Sequence, residues 1–327
     1  MPVTRVAMLL FAFVLLCSAR PAFASGNEAA EAKTAILLAS FGTTVPEAVQ
    51  SLDNITRAVR AAYPHTEVRI TFTSNIVRSV WKKRRAEREK WLAQGVPEEV
   101  LDVKNIIQAM GDLQEDGYRQ IIVQPTHMFF MEQSHDLNSY VAALAGIRTL
   151  KSKWRPFETV VMGRPAMGMP GDLYSYHEDI DRLVTSLQED VELARAAGAS
   201  LVYMGHGNEN WSTGVYAETE KKLRQAYPGM EIFIGVVEGT PSLEDIMPRL
   251  AGASSKKVVL KPFMITAGDH AQNDMAGAES ESWKSQLAAA GYAVQPVLQG
   301  LGSSAAFAAI FVEHIADAAR ERGLTLK

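Results

Sequence analysis

Three residues in the second half of the chain carry side chains of the kind that hold transition metals: His206, Glu238 and His270. Each stands at the end of an apolar run. SLVYM (Ser200–Met204) leads into Gly205-His206-Gly207, and EIFIGVV (Glu231–Val237) leads into Glu238-Gly239-Thr240-Pro241. The run from Lys256 to Ile265 leads into Gly268-Asp269-His270. Two neutral imidazoles and a carboxylate suit a divalent first-row ion and leave coordination positions open for a second reactant. The glycines beside His206 and Glu238 let backbone and ligand approach closely. Taken singly, each of the three also reads as an ordinary loop or helix-cap residue. Their recurrence at successive strand ends is what favours a metal site. His270 opens the most polar stretch of the chain, with Asp269, Asn273, Asp274, Glu279 and Glu281 around it; its other reading is a solvated loop.

In the first half, His127, Glu132 and His135 follow another apolar run and could face the same cleft. His127 comes directly after that run and reads more readily as a packed, hydrogen-bonded histidine. His65, His177 and His314 read as surface residues. Other chemistries lack their signatures: there is no G-x-S-x-G, no P-loop and no H-E-x-x-H. Phe41-Gly42-Thr43-Thr44 could hold an anion on backbone amides, a weak signal.

The elements that must position these residues alternate. Strands are expected at Ala35–Ser40, Glu67–Phe72, Gln120–Gln124 and Thr159–Met162. Four more are expected at Ser200–Met204, Glu231–Val237, Lys256–Ile265 and Tyr292–Leu298. Helical spacing separates them, as in Pro46–Tyr63 and Leu173–Ala196, and Ser242 reads as a helix cap. This is an α/β pattern, a doubly wound parallel sheet with helices on both faces, used twice. In such sheets ligands bind beyond the carboxyl ends of the strands. The basic run Lys82-Lys83-Arg84-Arg85, mixed with Glu87 and Glu89, reads as a solvated helix face.

At 327 residues, two domains are expected. The reading places a signal peptide at 1–24, an N-terminal α/β domain at 25–165 and a C-terminal α/β domain with the metal site at 166–302. A terminal helix at 303–327 packs back on the N-terminal domain. Arg5 precedes the apolar run Val6–Cys17, and Ala22-Phe23-Ala24 offers a cleavage site, so export to the periplasm is expected. No membrane span is expected after cleavage. Cys17 is the single cysteine and leaves with the signal, which excludes disulfides and thiolate ligands. The net charge of −4 becomes more negative when Arg5 and Arg20 leave, so nucleic acid is not an expected partner.

The motifs SFGTT, YMGHG, VVEGTP and PFMITAGDHAQNDMAGAESESW, the last followed by GLG, resemble the anaerobic cobalt chelatases, relatives of ferrochelatase. The resemblance runs from about Lys33 to the terminal helix. It implies two Rossmann-like domains with a cleft between them, and ATP-independent insertion of Co²⁺ into sirohydrochlorin, a tetrapyrrole. Fe²⁺ and Ni²⁺ are further metals that a His/Glu set accepts. By motif, His206 and His270 match the family's catalytic histidines. Glu238 matches its metal-binding carboxylate, so that His206, Glu238 and His270 would hold the metal. Glu132 lies near a further acidic position. Phe129, Phe130, Met131 and Trp211 are candidates to pack on the macrocycle. Periplasmic members of the family are associated with haem, for which His135 is the candidate ligand. The alternative function is a haem or metal carrier that retains the fold. Relatives form several assemblies, so a homo-oligomer is compatible with the family.

Overall fold

The computed structural model describes residues 32–171, 173–208 and 214–327. The expected signal peptide lies outside them. The eight strands are β1 (Lys33–Ser40), β2 (Glu67–Phe72), β3 (Tyr118–Pro125), β4 (Thr159–Met162), β5 (Ser200–Gly207), β6 (Ile232–Glu238), β7 (Lys257–Phe263) and β8 (Ala293–Pro296). They form two four-stranded sheets, β2-β1-β3-β4 and β6-β5-β7-β8, with parallel pairing throughout. The order is the same in both: second, first, third, fourth. Central strands of such sheets are covered on both faces, which is why they read as unbroken apolar runs rather than alternating ones. In β1, Ala35 to Ala39 are all buried; in β5, Leu201 to Met204 are too.

The helices obey the 3.6-residue period. Val49–Ala62 buries Val49, Leu52, Ile55 and Val59. Ser242 caps Leu243–Ala251 in a reciprocal capping box with Asp245. The terminal helix, Ala305–Glu321, joins the two cores. Ile315, Ala318 and Ala319 pack with Ile36, Leu38, Ile122 and Val161 of the first sheet. Phe307 and Phe311 pack with Leu201, Tyr203 and Phe263 of the second. Each of these wholly buried aromatic side chains stabilises the fold by roughly 2–3 kcal/mol. Residues Lys33–Lys327 accordingly cluster as a single compact unit.

Several local expectations change. The helix anticipated over Leu173–Ala196 is two, Tyr176–Ser186 and Gln188–Ala197, separated at buried Leu187. The first packs on the helices Gly214–Ala226 and Ala305–Glu321, the second on β5 and β7, so one straight rod could not serve both layers. The basic segment is also interrupted, by a 3-10 turn at Arg85–Glu87. That turn returns Trp91 to an edge contact with Trp81 at 6.0 Å, and Arg84 stacks on both rings, 4.6 and 4.4 Å from their centroids. Lys82 and Lys83 are solvated, but Arg84 is a structural cation that donates to the Thr44 carbonyl.

His314 is not a surface residue. It is wholly buried, with Nδ1 3.0 Å from the Arg164 carbonyl and Nε2 3.1 Å from Asp179 Oδ1. Arg164 bridges Asp179 (2.9 Å) and Asp317 (2.8 Å). Burial alone would raise the Asp179 carboxyl. The hydrogen bonds from His314 and Arg164 outweigh it and hold the group at about 2. This charged cluster ties the terminal helix to the segment where the second half begins.

Candidate functional site

Beyond the carboxyl ends of both sheets lies a cavity of about 350 Å³. Its wall is assembled from the ends of β1, β3, β5 and β7, the strands that flank the switch points of the two doubly wound sheets, and from the end of β6. The first half contributes Phe41 to Thr44 and Thr126 to Gln133 except Phe130; the second contributes His206 to Asn208, Glu238, and Met264 to His270 except Ala267.

His206 is the penultimate residue of β5, and Gly207 is paired in register with Glu238 of β6. Gly207 has φ +76°, and a Cβ there would fall 1.9 Å from the Glu238 carbonyl oxygen. No other residue permits that approach. It sets His206 Nδ1 3.7 Å from Glu238 Oε2. Beneath, the Gly207 N–H donates to the Tyr216 hydroxyl at 3.4 Å, a phenol that burial pushes up to about 12. His270 arrives from β7 and begins a π-helical turn, Ala271–Met275. Such turns recur at functional sites because they re-aim a side chain within a helical path. The His206 and His270 rings stand 4.8 Å apart, edge to face at 89°.

Each ring has a hydrogen-bond partner at Nδ1. His206 Nδ1 lies 3.1 Å from the Gly207 carbonyl, and His270 Nδ1 lies 2.6 Å from Asp274 Oδ2. Both partners are acceptors, so the neutral tautomer that satisfies them carries its hydrogen on Nδ1 and has its lone pair on Nε2. Asp274 is thus the residue that orients His270, and Asn273 similarly donates to Asp269 at 3.0 Å. The cavity joins His206, Glu238 and His270. Among the described residues, however, no group of three or more His, Cys, Asp or Glu side chains is placed so that it could hold a metal ion.

Glu132 lines the cavity from the first half, and Asn208 donates to its Oε2 at 3.3 Å across the cleft. Phe129 and Met131 line it too, whereas Phe130 between them does not. Trp211 lies outside the described residues. His135 is on the outside of the helix Glu132–Gly146, its side chain 58% exposed and 3.7 Å from Asp136, and it does not line the cavity. His127 is the packed histidine that its position after β3 suggested. Its Nδ1 bonds Ser134 Oγ at 2.8 Å, its Nε2 is buried without a partner, and burial lowers it to about 4. The turn Phe41–Thr44 is held by Trp81, whose Nε1–H donates to the Thr43 carbonyl at 2.8 Å. Among the described lining residues there are three carboxylates, Glu132, Glu238 and Asp269, and no Lys or Arg. Such a wall attracts a divalent cation.

A family model described as cobalt chelatase (CbiK) matches residues 34–320. Over 286 residues the chain is 28% identical to the sirohydrochlorin cobaltochelatase CbiKC of Nitratidesulfovibrio vulgaris, covering 88% of this chain and 90% of that protein. It is also 28% identical over 288 residues to the sirohydrochlorin cobaltochelatase of Salmonella typhimurium, covering 88% and 96%. The structure of SirB from Bacillus subtilis with Fe³⁺ shares the fold, with a TM-score of 0.57 at 15% identity over 89% of this chain and 98% of that one.

Proposed function

The chain belongs to the cobalt chelatase (CbiK) family, and from that premise we propose that it inserts Co²⁺ into sirohydrochlorin at the cavity between the two sheets. The observation that carries this reading is the pair of imidazoles, His206 and His270, 4.8 Å apart with Nδ1 held by protein acceptors. Both Nε2 lone pairs are left for the reaction. Co²⁺ binds first to Nε2 of one or both rings and to the Glu238 carboxylate, and the ligand set stays incomplete. An open set suits a metal that must be handed on; a closed one would retain it.

The macrocycle enters with two pyrrole N–H groups. As its nitrogens replace the protein ligands on Co²⁺, both N–H bonds break and two protons leave. A histidine freed of metal at Nε2 accepts the first, passes it to solvent and then accepts the second, and its Nδ1–H bond to a fixed acceptor steadies the imidazolium that forms each time. At His270 that acceptor is the Asp274 carboxylate, and at His206 it is the Gly207 carbonyl. Phe129 and Met131 offer apolar contact to the ring, while the absence of Lys and Arg from the described wall leaves the substrate's peripheral carboxylates at the open rim. No ATP is required, because chelation by four nitrogens drives the transfer. Fe²⁺ and Ni²⁺ fit the same donors. The proposal extends to location: the N-terminal Arg5, Val6–Cys17 and Ala22-Phe23-Ala24 pattern supports export to the periplasm.

The test is the absorbance change on mixing the protein with sirohydrochlorin and Co²⁺. Insertion should exceed the uncatalysed rate and fall by at least about 100-fold in His206→Ala with His270→Ala. An uncatalysed rate in the wild type, with metal or haem still bound, would leave the carrier reading in its place. Full activity in the double variant would remove these histidines from the mechanism.

A further inference from the structure

The helix Glu132–Gly146 runs out into a surface segment, Ile147 to Arg155, with the sequence IRTLKSKWR. Leu150 is completely exposed, Trp154 is 67% exposed and Ile147 38%. Apolar side chains scattered singly on a surface need no explanation, but a Leu, a Trp and an Ile within eight residues do. The segment is not a loose loop. Thr149 Oγ1 donates to the Lys151 carbonyl at 2.7 Å, and the Trp154 N–H donates to the same oxygen at 2.9 Å. Arg148 closes the end of the helix through the carbonyls of Ala145 and Ile147. An internally bonded turn therefore presents Leu150 and Trp154 outward.

The charges around them have one sign. Arg148, Lys151 and Lys153 are exposed, and Lys153 Nζ sits 4.9 Å from the Trp154 ring centroid. No Asp or Glu occurs between Asp136 and Glu158, in a chain whose net charge is −4.

We propose that this turn docks the protein reversibly on an anionic lipid surface. Leu150 and Trp154 enter the boundary between headgroups and acyl chains, and Lys151 and Lys153 meet lipid phosphates with their alkyl stems along the apolar layer. Charge complementarity selects this occupant. A second copy meeting the same patch would set like charges against each other, and a purely apolar protein face would leave the cations unmatched. Tryptophan at the water boundary beside lysine and arginine is the composition of membrane interfaces.

The experiment must report on the turn itself, because Val6–Cys17 is apolar too. Cys17→Ser with Leu150→Cys gives one thiol for an environment-sensitive NBD label, and Glu244→Cys on the second half, also exposed, gives the control. With phosphatidylcholine vesicles containing about a third phosphatidylglycerol, the label at 150 should shift to the blue, and the control should not. Lys151→Glu with Lys153→Glu, or high salt, should weaken binding at least about tenfold. The proposal is overturned by no shift at 150, by an equal shift with phosphatidylcholine alone, or by an equal shift at 244. A shift that appears without vesicles as protein concentration rises assigns the patch to a second copy instead.

Discussion

Gly207→Ala tests whether the contact of β5 with β6 sets the geometry of the site. Gly207 has φ +76°, and an added Cβ would lie 1.9 Å from the Glu238 carbonyl oxygen and 2.7 Å from Val236 Cβ. Real Cβ contacts stop near 3.0 Å, so the strand ends must part by about an ångström or the chain must rotate away from this φ. The left-handed conformation itself costs alanine roughly 1–2 kcal/mol. The displacement falls on the residues flanking His206 and Glu238, and a misplacement of about 1 Å costs on the order of 100-fold in rate. Gly198→Ala is the control: it has φ +59° and nothing within 4 Å of the added carbon. It should lose about 1 kcal/mol of stability and no activity. The assays are Co²⁺ insertion into sirohydrochlorin, Co²⁺ affinity by calorimetry, and thermal unfolding for both variants. The reasoning fails if Gly207→Ala keeps wild-type rate and affinity, or loses no more stability than Gly198→Ala.

Two further outcomes are expected. His127 is held at about 4 by burial, against 6.5 when unfolded, so the unfolded chain takes up the proton first and stability declines as pH falls from 6.5 towards 4. The shift corresponds to about 3 kcal/mol, and His127→Gln should flatten denaturant midpoints across that window; an unchanged slope would assign the loss to other groups. Asp179 adds a second stage with the sign of a depressed carboxylate, its contribution present above 3.8 and lost as pH falls through about 2. The proposed export predicts that the chain, expressed in a bacterium with a periplasm, is recovered there beginning at Ser25; an intact N-terminus in the cytoplasm would refute export.

Much of the fold was legible because parallel strands buried on both faces must be apolar along their whole length. Strand boundaries shifted by a few residues, most instructively at β5, which continues through Gly205 to Gly207 and carries His206 within the strand. Propensity could not extend a strand through two glycines; pairing with Glu238 does. The helix break at Leu187 and the 3-10 turn at Arg85–Glu87 carry no proline or glycine. Packing against different layers accounts for the first, and the return of Trp91 onto Trp81 accompanies the second. His314 misled for a related reason: a histidine among alanines on a terminal helix looks solvated until Arg164 and Asp179, 150 and 135 residues away, are brought against it.

The sequence by itself determined the apolar runs, the ligand-type residues at their carboxyl ends and the motifs that mark the family. These are properties of residue type and short spacing. Tertiary structure alone decided which groups share the cavity, that Phe129 and Met131 but not Phe130 line it, and that Asn208 reaches Glu132. It alone decided that Nδ1 of both His206 and His270 faces a protein acceptor. The shared cavity and the Asn208–Glu132 contact rest on distances between segments far apart in the chain, which only the packing of the two halves sets; the Nδ1 acceptors rest on the local backbone at the end of β5 and in the π-helical turn after His270.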